Sequence, residues 1–142
     1  VDDDDVYRQR TRALLESTEG VTVVGQARDG REVISLIRET DPDVILLGIG
    51  TSHASNVEPV AQIRESFPRA KIIILHDEGQ DQLVLDVLRK GALGHLVREK
   101  ASPSEIVAAI RAVSRGEAVI SAGVAGRILD QVIRERKTSE RR

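Results

Sequence analysis

Chemistry in this 142-residue chain would have to come from a small set of side chains. Asp2-Asp3-Asp4-Asp5 is a run of carboxylates, oxygen donors of the kind that hold a hard divalent cation such as Mg²⁺. The same run reads as a solvated helix N-terminus, where the macrodipole favours negative charge. His53, His76 and His95, taken with the acidic run, would make a metal or pH-sensing set; isolated on different elements, they are ordinary loop and strand residues. Gly48-Ile49-Gly50-Thr51-Ser52 has the glycines of a phosphate cradle but lacks the Lys-Ser/Thr ending of a P-loop. No nucleophile–base pair or metal triad stands out, which makes an independent enzyme the weakest reading. Without cysteine there is neither a disulfide nor a cysteine-ligated zinc site.

These residues need a scaffold, and the composition describes one. Apolar residues make up 40% and charged residues 31%, enough for the core and surface of one domain. Lys and Arg total 21 against 23 Asp and Glu, a balance of −2, so no global basic field marks a nucleic-acid binder. No apolar run approaches the roughly 20 residues of a membrane span, and no signal peptide is visible. A cytoplasmic address is the expectation, with no membrane partner. The chain has no Met, from which a trimmed N-terminus is expected. With one Tyr and one Phe, the core must be Val, Ile, Leu and Ala, the composition of a covered parallel sheet.

Four short apolar runs read as strands: Val21–Val24, Val44–Leu47, Ile72–Leu75 and a weaker one at His95–Val97. Helical periodicity lies between them. Thr11, Leu14 and Leu15 mark a first helix ending near Gly20. Val33, Leu36 and Ile37 mark a second, with Asp29 as cap and Glu32 at capping-box spacing. Val57, Val60 and Ala61 mark a third, capped by Asn56. Val84, Val87 and Leu88 mark a fourth, closed by Arg89, Lys90 and Gly91. The fifth opens on Ser102-Pro103 with Glu105, carries Ile106, Ala109, Ile110 and Val113, and stops at Gly116. A sixth starts near Ser121 with Val124, Ile128, Leu129, Val132 and Ile133, then dissolves from Arg134 into a solvated basic tail that reads as a linker. Alternating strands and helices imply right-handed crossovers and a parallel sheet.

The ordered residues resemble a known family. Asp2-Asp3, the helix ending Arg12-Ala13-Leu14-Leu15, and Val21-Thr22-Val23-Val24-Gly25-Gln26-Ala27-Arg28-Asp29-Gly30 resemble the opening of bacterial response-regulator receiver domains of the CheY-like fold. Asp41-Pro42-Asp43-Val44-Ile45-Leu46-Leu47, Gly91-Ala92-Leu93-Gly94-His95-Leu96-Val97 and Ala101-Ser102-Pro103-Ser104-Glu105-Ile106 continue the resemblance over nearly the whole chain. It is closest to the LuxR/NarL-type subgroup, in which a receiver is joined to a helix-turn-helix. The resemblance implies a doubly wound, five-stranded parallel α/β sheet in order 2-1-3-4-5. Helices would cover both faces, with the first strand largely missing from the chain. It implies a receiver over 1–120 and a linker helix with basic tail over 121–142, leading to a DNA-binding domain not in these residues.

Receivers bind Mg²⁺ with an acidic pair, accept phosphoryl on an Asp, and use a Ser or Thr and a Lys to neutralise it. By position the acidic pair is Asp2 and Asp3, so Mg²⁺ binding there would be weak or absent. The acceptor position is Gly48, which has no carboxylate. The hydroxyl position is His76, the Lys position is Arg98 (or Lys100 if the loop shifts), and the aromatic switch position is His95. Thr51-Ser52-His53 stands where Met-Pro-Gly is usual. His76 is expected to face Asp2 and Asp3 across this degenerate pocket. Leu83, Leu85 and Val87, with Ile128 and Val132, offer either internal packing or a homodimer face. The resulting expectation is an atypical receiver working through protein contacts and dimerisation. It would have no cofactor beyond a weak Mg²⁺, and a sensor kinase or other regulatory protein as partner. The alternatives are phosphorylation at a non-standard residue (Asp43, Thr51 or Ser52) or small-molecule sensing in the vacated pocket.

Overall fold

The computed structural model describes residues 1–49 and 57–140. Its elements run α1 (Asp5–Glu16), α2 (Gly30–Thr40), β1 (Val44–Gly48), α3 (Val57–Ser66), β2 (Lys71–His76), α4 (Asp81–Arg89), β3 (Gly94–Val97), α5 (Pro103–Ser114) and α6 (Ala122–Glu140). The cap expected at Asn56, with Thr51, Ser52 and His53, lies outside the described residues.

Helix ends follow local chemistry. Asp4 caps α1 by accepting from the Tyr7 amide at 3.0 Å. Asp29 caps α2 by accepting from the Arg31 and Glu32 amides. Glu32 reaches back to the Arg28 amide at 2.9 Å, one residue before the cap rather than onto it. The Glu105 amide donates to Ser102 Oγ ahead of Pro103, as expected. Gly91 and Gly116 close α4 and α5 at φ +115° and +87°, a region that non-glycine residues rarely adopt.

β1, β2 and β3 form a parallel sheet in that order, with Gly48 opposite Leu75 and His76 opposite Val97. Side chains alternate between two cores. Ile45, Leu47, Ile72 and Ile74 pack with Val33, Ile37, Val60, Ile63 and Val87 of α2, α3 and α4. Ile73 faces the other way onto Ile106, Ala109, Ile110 and Val113 of α5, with Leu14 and Leu15 of α1 against them.

Three expectations are corrected here. Val21–Val24 is not a strand, and Val24 is exposed. A strand needs a neighbour to pair with, and the backbone bonds near this segment are a local one from Val21 N–H to the Thr18 carbonyl at 3.3 Å and, beyond its end, Asp2 N–H to the Ala27 carbonyl at 3.1 Å. A cleft of about 420 Å³ lined by Val1, Val21, Val23, Val44 and Leu46 separates this segment from β1. Hence the sheet among the described residues has three strands rather than five. The remaining correction is at the C-terminus: α6 does not dissolve at Arg134 but stays helical to Glu140. Arg, Glu and Lys are good helix formers, and no Gly or Pro interrupts them; the solvated character expected of this stretch holds, since residues 134–140 are exposed.

Candidate functional site

The carboxyl ends of the strands bring together Gly48 from β1, His76 from β2 and, one residue past β3, Arg98. Asp2 joins them from the chain start, held by Gly48 N–H to the Val1 carbonyl at 2.7 Å and by its own amide on Ala27. Asp2 is 3% exposed, so the carboxylate run is not uniformly solvated. Its Oδ1 accepts from the Asp4 amide at 3.0 Å, and its Oδ2 lies 3.0 Å from Arg98 Nη2 in a buried ion pair. Burial raises the Asp2 carboxyl above the usual carboxylate range, while the Asp4 amide and Arg98 pull the other way. Arg98 is steadied on the far side by the Tyr7 ring, 5.2 Å from its guanidinium carbon. Asp3 is exposed and stands outside this pair. Arg8 also serves the chain start, donating to the Asp2 carbonyl and pairing with Asp5.

Gly48 is tied to this pair by space. A Cβ built on Gly48 would lie 2.7 Å from Arg98 Nη2 and closer still to Asp2 Oδ2. The ion pair therefore fills the volume directly over Gly48, and no larger residue fits there while the pair stands.

The residues do not fit Mg²⁺. A cation already sits against Asp2 Oδ2, a backbone amide occupies Oδ1, and Gly48 supplies no second carboxylate. Among the described residues no cluster of three His, Cys, Asp or Glu side chains has a metal-binding arrangement.

His76 does not face Asp2 and Asp3; Arg98 takes that direction instead. The His76 ring turns toward His95, with Nε2 of His76 and Nδ1 of His95 2.9 Å apart. The His76 Nδ1 contacts the Asp77 carbonyl at 2.9 Å, and the Ser121 amide donates to His95 Nε2 at 3.0 Å. Both rings are buried, and burial beside His76 lowers the His95 pKa to about 4. Lys100 extends instead to Glu78, both side chains being exposed. Asp43 lies at the opposite end of β1 from Gly48.

The expected dimer face divides. Leu85 and Val87 are 1% and 0% exposed, because α4 is covered on one side by the sheet and on the other by α6. Leu83 and Ile128 are half-buried in those same contacts. Val132 is exposed, together with Leu129 and Ile133 on the same stretch of α6. Sequence reasoning missed Tyr7, Arg8 and Ser121 as partners of the site, since nothing in their local pattern distinguishes them from helix and cap residues.

An open parallel sheet with covered faces and polar groups gathered past its strand ends is a doubly wound α/β architecture, which signalling receivers share with other proteins. A family description, the response regulator receiver domain, matches residues 1–111. The chain is 33% identical over 136 residues to the uncharacterized transcriptional regulatory protein YxjL of Bacillus subtilis, covering 96% of this chain and 62% of that protein. It is 35% identical over 132 residues to the transcriptional regulatory protein LiaR of the same organism, covering 93% and 62%. A LuxR-family two-component response regulator from Aurantimonas superposes with a TM-score of 0.79 at 29% identity, covering 93% of this chain and 94% of that one. The isolated receiver domain of RcsB from Salmonella enterica shares the fold with a TM-score of 0.78 at 24% identity, covering 91% and 94%. This chain belongs to the response regulator receiver domain family, among the LuxR/NarL-type regulators. It spans about 62% of the length of these two curated relatives. Receiver domains of this kind are signalling modules rather than enzymes.

Proposed function

We propose that this chain is an atypical receiver that regulates through protein contacts instead of aspartyl phosphorylation. The observation that carries this reading is the volume over Gly48, the residue that the receiver resemblance puts at the phosphoacceptor position. That volume is taken by the Asp2–Arg98 ion pair, and no carboxylate projects from β1 there. In an ordinary receiver, phosphate and Mg²⁺ bias a two-state equilibrium. Here a permanent guanidinium–carboxylate contact stands in the pocket, so the equilibrium is set by the chain itself and by what binds it. The relatives' names, transcriptional regulatory proteins, support an output in transcription. In this reading DNA is contacted through a domain outside these residues, and a sensor kinase or another regulatory protein is the upstream partner. The reading carries a cytoplasmic setting with the response regulators this chain resembles. Separately, no helix among the described residues is long and apolar enough to cross a membrane.

Homodimerisation is part of the proposal, carried by Leu129, Val132 and Ile133, which are 61%, 45% and 50% exposed at helical spacing on α6. The test of the phosphorylation claim is incubation with acetyl phosphate and Mg²⁺ followed by intact-mass measurement. No mass change is expected, and a stable gain of about 80 Da, one phosphoryl group, would overturn the proposal.

Small-molecule sensing is the second reading, but the site over Gly48 offers it no room. It is favoured instead by a cleft of about 750 Å³ between α1 and the start of α5, lined by Asp3, Tyr7, Arg10, Arg98 and Glu99. There the buried Nε of Arg98 has no hydrogen-bond partner. Thermal-shift measurement against metabolite libraries tests it through ligand-linked stabilisation.

A further inference from the structure

The His76–His95 contact lies outside the pocket chemistry and has its own logic. The Ser121 amide can only donate, so His95 Nε2 must be bare and accept. A neutral His95 then carries its proton on Nδ1 and donates to His76 Nε2. His76 in turn carries its proton on Nδ1 and donates to the Asp77 carbonyl. Two protons satisfy the whole chain of contacts, from the end of β2 through β3 to Ser121. A third proton cannot be added without setting one N–H against another. On His95 it would oppose the Ser121 amide; on His76 it would oppose His95 Nδ1–H, or force the His95 proton onto Nε2 and against Ser121.

Ser121 is where α6 begins. Its carbonyl accepts from the Ala125 amide at 2.9 Å and its hydroxyl from the Val124 amide at 3.3 Å. His95 holds the approach to this helix twice, since its own amide donates to the Val119 carbonyl at 3.0 Å. Beyond Ser121, α6 is docked through Val124 and Ile128 on Val84, Leu85 and Leu88 of α4. The charged groups around the rings offer little to a third proton. Asp81 of α4 favours the charged form of His95 but is itself paired with Arg127 of α6 at 3.5 Å. Arg98, following β3, is turned to Asp2, and Glu78 beyond Asp77 is turned to Lys100. Asp77 meets the His76 ring through its carbonyl.

We propose that His76 and His95 form a proton-operated latch: with both rings neutral they hold the N-terminus of α6 to the sheet edge, and uptake of one proton by the pair releases it. The latch is independent of Gly48 and stands whether or not the chain accepts phosphate. Acidification thereby becomes freedom of the helix that carries the exposed Leu129, Val132 and Ile133 stripe.

The test uses the 142-residue chain labelled with ¹⁵N. At about pH 7 the imidazole ¹⁵N shifts should place the proton on Nδ1 of both His76 and His95, the form less populated in free histidine. Hydrogen exchange of the Ser121, Val124 and Ala125 amides, corrected for intrinsic rates, should lose protection on acidification below about pH 6, by up to tenfold per pH unit for one proton taken up. Core amides of β2, which open only with the whole fold, should stay better protected than these at every pH. His95→Phe keeps a ring but removes the acceptor, and should leave those α6 amides weakly protected at every pH with the pH dependence gone. A proton on Nε2 of His95 at neutral pH, protection of Ser121 that does not vary with pH, or an unchanged pH dependence in His95→Phe would each overturn the latch.

Discussion

Arg98 and Asp2 are each the counter-charge that makes the other's burial tolerable. Removing one partner leaves a desolvated charge with no compensation, which is far more costly than replacing both. Arg98→Ala should therefore destabilise the chain by about 3 kcal/mol in urea unfolding, while Asp2→Asn combined with Arg98→Met should lie much closer to the parent. Gly48 sets a steric test at the same place. Gly48→Asp must push its Cβ into Asp2 Oδ2 and Arg98 Nη2, so it should unfold more readily than the parent and remain unphosphorylated by acetyl phosphate. Adding Arg98→Lys, a shorter head with freer rotation, should restore part of the lost stability. Equal stability of the single and double variants would show that the ion pair does not occupy that space.

At the level of elements, α6 is two helices in one. Its first turns are docked, with Val124 4% exposed against Val84 and Leu85, and its last turns are solvated and charged. Val124→Asp buries a carboxylate among apolar neighbours and should free α6, costing about 2 kcal/mol or more, read as loss of amide protection in α6 with the sheet intact. Deleting residues 134–140 removes no buried contact and should leave the unfolding midpoint unchanged. The α4 helix shows why covering matters: with the sheet on one side and α6 on the other, it buries Val84, Leu85 and Val87, more apolar surface than a helix packed on one side alone could hide.

For the whole molecule, His95 contributes one part of the pH dependence. Its pKa falls from 6.5 to about 4 on folding, so the unfolded chain binds more protons between those values. Stability must rise with pH across that window, and the contribution of His95 is fully lost once pH drops through about 4. The gap corresponds to about 3 kcal/mol by linkage. Unfolding free energies measured between about pH 4 and 7 should show this slope, reduced by close to one proton in His95→Phe. The assembly state is a second global property. Light scattering should report a dimer that Leu129→Glu with Ile133→Glu converts to monomer, and an unaffected mass would remove α6 as the contact.

Much of this architecture is written in neighbouring residues. Asp29 with Glu32, Ser102-Pro103 with Glu105, and Gly91 and Gly116 mark helix ends because capping acts over three or four residues. The unbroken apolar runs Val44–Leu47 and Ile72–Leu75 declare a sheet covered on both faces, because successive side chains on a strand point to opposite faces. The residues around these signals, taken in order, resemble those of the receiver family. What folding alone decided are pairings across distance. Val21–Val24 has strand composition but no partner to ladder with, and composition cannot supply one. Arg98 reaching Asp2, and His76 turning away to His95 some 19 residues on, depend on which side chain fills a shared volume first. Close packing and the cost of an unpaired buried charge settle that competition, and neither is a property of any single stretch of chain.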